Sequence, residues 1–101
     1  MTEKLRIGKW DIPTKLMDDY IRFSIMADAY LLGTLKTPSA MAGNIGVGEY
    51  ERRLRWSMCV EQLMKVHREI CAVLGIEYSE NTDDDFYLTF HKYVEEKKRL
   101  K

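Results

Sequence analysis

The chain has 101 residues, which is enough for one domain. Hydrophobic residues make up 46% and charged residues 32%, and this mixture excludes a disordered chain, a collagen-like repeat and a disulfide-dense mini-protein. The 16 basic and 16 acidic side chains give a formal net charge of zero, so nucleic acid is not an expected partner. No apolar run approaches the roughly 20 residues of a membrane span, so no membrane partner is expected either.

The first 12 residues predict an extended arm that is held in place by Trp10. Leu5 and Ile7 alternate with charged neighbours, as in a strand, but Gly8 interrupts the alternation. The sequence therefore predicts an extended N-terminal arm.

A first helix is predicted over residues 14–35, because Pro13 is suited to open a helix and apolar side chains follow at helical spacing. The apolar arc covers more than half of the helix circumference: Leu16, Met17, Tyr20, Ile21, Phe23, Ile25, Ala27, Tyr30, Leu31, Leu32 and Leu35. A helix with so wide an apolar surface packs centrally or against a second chain. The small or flexible residues Met26, Ala29 and Gly33 continue its polar side and predict a seam for close approach of another helix.

Residues 36–48 predict a glycine-rich loop, and residues 49–74 predict a long second helix that ends at Gly75. Three apolar residues of this helix stand away from its main apolar face at i, i+4 and i+8, and they predict a second contact surface: Tyr50, Leu54 and Met58.

A third helix is predicted over residues 83–100, because Thr82 precedes a run of aspartates that favours a helix N-terminus. Leu88 is expected to point outward from this helix. The fold prediction is therefore all-α: a small three-helix bundle with two long antiparallel helices and an extended N-terminal arm.

Two polar residues fall within apolar faces, Asp28 in the first predicted helix and His67 in the second. Buried polar groups need hydrogen-bond partners, so one interpretation pairs Asp28 with His67 as a lock that fixes helix register. The alternatives are an acid–base dyad, the polar floor of a ligand pocket, or two groups that never meet.

A possible anion site combines the glycines of the loop with arginines at the start of the second helix: Gly43, Gly46, Gly48, Arg52, Arg53 and Arg55. Glycine backbone N–H groups and a helix N-terminus can bind phosphate, and Tyr50 or Trp56 could stack on a nucleotide base. The order of residues matches no dinucleotide or P-loop motif, and Glu49 and Glu51 place negative charge where phosphate would lie.

No catalytic motif is recognised, and no metal site or cofactor is expected. His67 and Cys71 have a spacing that can hold a metal ion from one helix face, but no motif aligns further ligands such as Cys59 or His91. Two free cysteines favour a reducing compartment, so a cytoplasmic protein is expected.

The surplus of apolar helix surface predicts a non-catalytic interaction protein, such as a small adaptor, inhibitor or regulator. It is expected to bind a protein partner of unknown identity and to form a homo-oligomer, with a dimer favoured. The alternative is a helical protein that binds a nucleotide or another anion through the Gly43–Gly48 loop and its arginines.

Overall fold

The computed structural model describes residues 3–33, 43, 45–78 and 84–100. In chain order they form β1 (Lys4–Ile7), β2 (Trp10–Pro13), α1 (Thr14–Leu32), α2 (Ile45–Leu74) and α3 (Asp85–Arg99). The described chain is mostly helical, with a small two-stranded sheet. Its contacts define two compact units: unit 1, Met1–Ile21 and Lys65–Lys101, and unit 2, Arg22–Met64.

The N-terminal arm is extended and folds into a β-hairpin, a strand pairing that the sequence pattern did not indicate. β1 and β2 pair antiparallel, with Leu5 opposite Ile12 and Ile7 opposite Trp10. Gly8 lies in the turn with a φ of 61°, a conformation that glycine adopts without steric cost. The glycine that interrupts the alternation is therefore the residue that lets the second strand return along the first.

Unit 1 contains the best-filled core among the described residues. Its fully buried side chains come from the hairpin and from all three helices: Ile12, Met17, Ile70, Phe90 and Val94. Trp10 packs edge-on against Phe86 at 5.2 Å between ring centroids, and Tyr20 packs edge-on against Phe90 at 4.7 Å. Burial of each large apolar side chain stabilises the unit by about 1.5–3 kcal/mol.

The third helix begins at Asp85, two residues later than predicted, and it ends at Arg99. Asp84 is its N-cap, because its carboxylate accepts hydrogen bonds from the backbone N–H groups of Phe86 at 2.9 Å and Tyr87 at 3.4 Å. Thr82 lies outside the described residues. The aspartate run thus supplies the cap that the sequence pattern indicates, at a later position.

The ends of α1 and α2 differ from the prediction where they approach the loop. α1 ends at Leu32, and Gly33 follows it with a φ of 75°. α2 begins at Ile45, so Gly46 and Gly48 belong to a helix and not to the predicted loop. Residues 34–42 and 44 lie outside the described part of the chain.

Unit 2 consists of the last part of α1 and the first part of α2. Its core is a small group that we call the Tyr30 cluster: the buried residues Ala27, Tyr30 and Cys59, with Met26 and Leu63 partly buried against them. Arg52, early in α2, binds the carbonyl group of Tyr30 at the end of α1. Leu63, later in α2, packs against a cluster that includes the earlier residues Met26 and Ala27 of α1. This reversed order of contacts shows that the two helices are antiparallel within the unit. The three-helix bundle itself stays a prediction.

Candidate interaction surface

A stripe of exposed apolar side chains runs along α2 in unit 2. The α2 stripe contains Val47, Tyr50, Leu54 and Met58, which are 45%, 68%, 50% and 56% exposed. Their spacing of three, four and four residues aligns them on one side of the helix. Leu63, which packs in the Tyr30 cluster, follows Leu54 by nine residues, or about 180° around the helix. Leu54, in the middle of the stripe, therefore lies opposite the face that packs on α1, whereas Met58, at the end of the stripe, also borders a groove lined by Met26 and Tyr30 of α1.

The structure places the predicted contact residues of the second helix on this stripe and adds one. Tyr50, Leu54 and Met58 are exposed, as their spacing predicts. Val47 was missed because it was assigned to the loop, although its position three residues before Tyr50 continues the same pattern. Leu88 is also exposed, at 54%, but it belongs to unit 1.

The end of α1 adds exposed apolar surface to unit 2, from the wide apolar arc that was expected to pack centrally or against a second chain. Leu31 is 60% exposed and Leu32 is 75% exposed. The predicted seam on the same helix is less open, because Met26 packs against the Tyr30 cluster while Ala29 and Gly33 are half-buried. Apolar character alone did not distinguish the side chains that face α2 from those that face outward.

Arg52 joins the two helices of unit 2 by capping the end of α1. Its Nη1 donates hydrogen bonds to the carbonyl oxygens of Tyr30 at 3.1 Å and Leu31 at 3.0 Å, and its Nη2 donates to Glu49 Oε1 at 2.5 Å. Carbonyl groups in the last turn of a helix have no partner within that helix, and positive charge is favourable there. Arg52 thus has a structural role that its sequence position did not reveal.

The structure does not assemble the predicted anion cradle. Gly46 and Gly48 lie in α2, and exposed Gly43 has a φ of 88°. Arg53 also pairs with Glu49, at 3.8 Å between Nε and Oε1, so one carboxylate neutralises part of the charge of two arginines.

Two grooves lie on either side of Tyr30 in unit 2. One, of about 360 Å³, is lined by Tyr30, Leu31, Arg52, Arg53 and Trp56. The other, which we call the Arg55 groove, has a volume of about 210 Å³ and is lined by Phe23, Met26, Tyr30, Arg55, Met58, Cys59 and Gln62. The three predicted anion-binding arginines are therefore divided between two different surfaces.

His67 lies in an aromatic environment in unit 1. Its ring is stacked nearly parallel to that of Phe90 at 5.9 Å and faces the edge-on ring of Tyr78 at 5.0 Å, and two further rings lie nearby, those of Phe86 and Tyr87. Burial lowers the pKa of His67 from its ordinary value, while the nearby Asp84 acts in the opposite direction. The imidazole is therefore neutral at pH 7 and packs as a ring.

The suggested pair of Asp28 and His67 stays a prediction. Asp28 is half-buried and belongs to unit 2, whereas His67 is buried and belongs to unit 1. The aromatic surroundings of His67 were not predicted from the sequence. A signal was present, because Phe86 and Phe90 are four residues apart on the inward face of the third helix.

The two cysteines are free and buried. Burial raises the pKa of the Cys59 thiol, and burial together with Asp84 raises the pKa of the Cys71 thiol. Nucleophilic cysteines require the opposite shift, since the thiolate is the reactive form. Among the residues that the structure describes, no three His, Cys, Asp or Glu side chains converge as metal ligands do.

Comparison with known proteins assigns no family or function to this chain. The chain matches no protein-family model, no curated protein and no solved structure. None of the helices in the described ranges combines the length and apolar character needed to cross a membrane.

Proposed function

We propose that this protein is a non-catalytic helical interaction protein that binds a macromolecular partner and forms a homodimer through the α2 stripe. The observation that carries the proposal is the row of four exposed apolar side chains, Val47, Tyr50, Leu54 and Met58, on the outer side of α2. A row of exposed apolar side chains is typical of an interface. Full burial of one such side chain against a partner stabilises the complex by about 1.5–3 kcal/mol.

A second copy of the chain fits this stripe better than a partner of strong charge. A symmetric dimer places the same patch on both partners, so an apolar row meets an apolar row. The formal net charge of zero also removes the overall repulsion between copies.

The same proposal includes the cytoplasm as the compartment and a bundle-like arrangement of the three helices. Cys59 and Cys71 are both free, which suits a reducing environment. Within unit 1, Phe90 of α3 packs against Tyr20 of α1 and His67 of α2, which supports a bundle of three helices.

The anion-binding alternative receives less support from the structure. Its loop glycines Gly46 and Gly48 lie within α2, and Arg52 donates its hydrogen bonds to helix carbonyls and to Glu49. A phosphate would have to displace these partners before it could bind. We therefore retain the interaction protein as the proposed function.

Light scattering after gel filtration tests the dimer. At tens of micromolar, we expect a mass near twice the 11.9 kDa of one chain. The substitution Leu54→Lys should lower the measured mass to that of one chain, because it places a charge in the middle of the apolar stripe. Circular dichroism should show unchanged helix content, since Leu54 is 50% exposed.

Val73→Lys is the matched control, since Val73 lies on the same helix, is 53% exposed and belongs to unit 1. Each new lysine follows a glutamate of α2 at a favourable spacing, Glu51 for position 54 and Glu69 for position 73. Dissociation by Leu54→Lys alone supports the proposal. A wild-type protein that stays monomeric, or equal dissociation by both variants, contradicts it.

A further inference from the structure

Among the residues that the structure describes, the Arg55 groove is lined by an apolar wall and by the guanidinium of Arg55. Rings of Phe23 and Tyr30 and the thioethers of Met26 and Met58 line about 210 Å³. Cys59 also lines the groove and is only 6% exposed, so it contributes a buried thiol that carries no charge. Among the described residues, the polar side chains of the lining are Arg55 and Gln62, together with the hydroxyl of Tyr30.

Arg55 differs from its two neighbours in how its charge is used. Arg52 and Arg53 both pair with Glu49, whereas Arg55 makes no ion pair with any carboxylate of the described residues. A guanidinium is suited to bind a carboxylate through two parallel hydrogen bonds, and such charge-assisted bonds are stronger than neutral ones. The groove therefore offers an anion a cation that is not already neutralised within the described chain.

We propose that the Arg55 groove binds a small aromatic carboxylate, with the ring against Phe23, Tyr30 and the two methionines and the carboxylate on Arg55. Aromatic rings favour contact with other rings and with thioether sulfur. The volume is below the roughly 300–1,000 Å³ of sites for drug-sized molecules, so the ligand has one or two rings.

Titration with 2-naphthoate tests the site, with 2-naphthamide as the neutral probe of the same shape. We expect saturable binding of the carboxylate and at least tenfold weaker binding of the amide. Arg55→Gln should weaken naphthoate binding at least tenfold, because it removes the charge and keeps a side chain of similar polarity. Arg53→Gln is the matched control and should change the affinity less than twofold, since Arg53 lies outside this groove.

Methyl NMR locates the ligand within the molecule. Naphthoate should shift the methyl resonances of Met26 and Met58 and leave that of Met17 unchanged, because Met17 is fully buried in unit 1. Binding should persist in Leu54→Lys, which removes the proposed dimer and leaves the groove intact. Equal binding of acid and amide, equal effects of the two arginine variants, or loss of binding in Leu54→Lys would each overturn the assignment.

Discussion

Unit 1 and unit 2 use apolar side chains in opposite ways. Unit 1 contains the large side chains that are fully buried, from Ile12 and Met17 to Phe90. Among the described residues, the exposed large apolar side chains concentrate instead in unit 2: Leu31, Leu32, Val47, Tyr50, Leu54, Trp56 and Met58. Apolar side chains therefore form a filled core in unit 1 and an exposed surface among the described residues of unit 2.

The two units differ in the number of elements that their described residues supply. Unit 1 adds a hairpin and α3 to its segments of α1 and α2, so the helix faces are covered from several sides, as by Trp10 against Phe86. Unit 2 has only segments of α1 and α2 among its described residues, and two helices cannot cover the outer faces of each other. Within the described residues, apolar helix faces are buried where the hairpin and α3 pack against them.

The largest expected effect is the loss of a core ring from unit 1. Phe90→Ala should lower the free energy of unfolding by about 3–5 kcal/mol, because it removes a ring that is 1% exposed and leaves a cavity. Leu54→Ala, on the stripe of unit 2, should change it by less than about 0.5 kcal/mol when measured on the monomer. Urea denaturation at low protein concentration measures both. Equal effects of the two substitutions would remove the contrast between the units.

A smaller effect is expected for the arginine that holds unit 2 together. Arg52→Ala should cost about 1–2 kcal/mol, because it leaves the carbonyl groups of Tyr30 and Leu31 without these donors at the end of α1. Arg53→Ala is the control, since its side chain is 79% exposed and its single described partner is Glu49. Amide hydrogen exchange of α1 should increase in the first variant only. If both variants leave the exchange unchanged, the cap contributes nothing to unit 2.

The smallest effect is a pH dependence that should come from unit 1. The folded pKa of His67 is lowered by burial, so its contribution to stability is complete above the unfolded pKa of about 6.5 and is lost as the pH falls from there toward the folded value. His67→Phe keeps a ring among Tyr78, Tyr87 and Phe90 and should flatten this part of the stability curve. Urea midpoints between pH 5 and pH 8 measure it. Parallel curves of stability against pH for the two proteins would show that His67 does not cause this pH dependence.

Local periodicity predicted the helices and part of the candidate surface. The spacing of Tyr50, Leu54 and Met58 identified one side of α2, and Gly75 marked its end with a φ of 70°. Such signals lie within a few residues of one another, and the geometry of one helix is sufficient to interpret them. Val47 and the early start of α2 were missed because glycines at 46 and 48 favour a loop when no tertiary contact is known.

Contacts between distant residues could be found only in the folded chain. Ile12 opposite Leu5 makes a hairpin from an arm, Arg52 binds carbonyl groups more than 20 residues earlier, and the ring of Phe90 lies on that of His67. The sequence alone determined which segments are helical and which side of α2 is apolar, because these depend on neighbours within a turn or two. The tertiary structure decided which apolar faces are covered and which arginine binds the carbonyl groups at the end of α1. Both depend on what distant parts of the chain place against these residues.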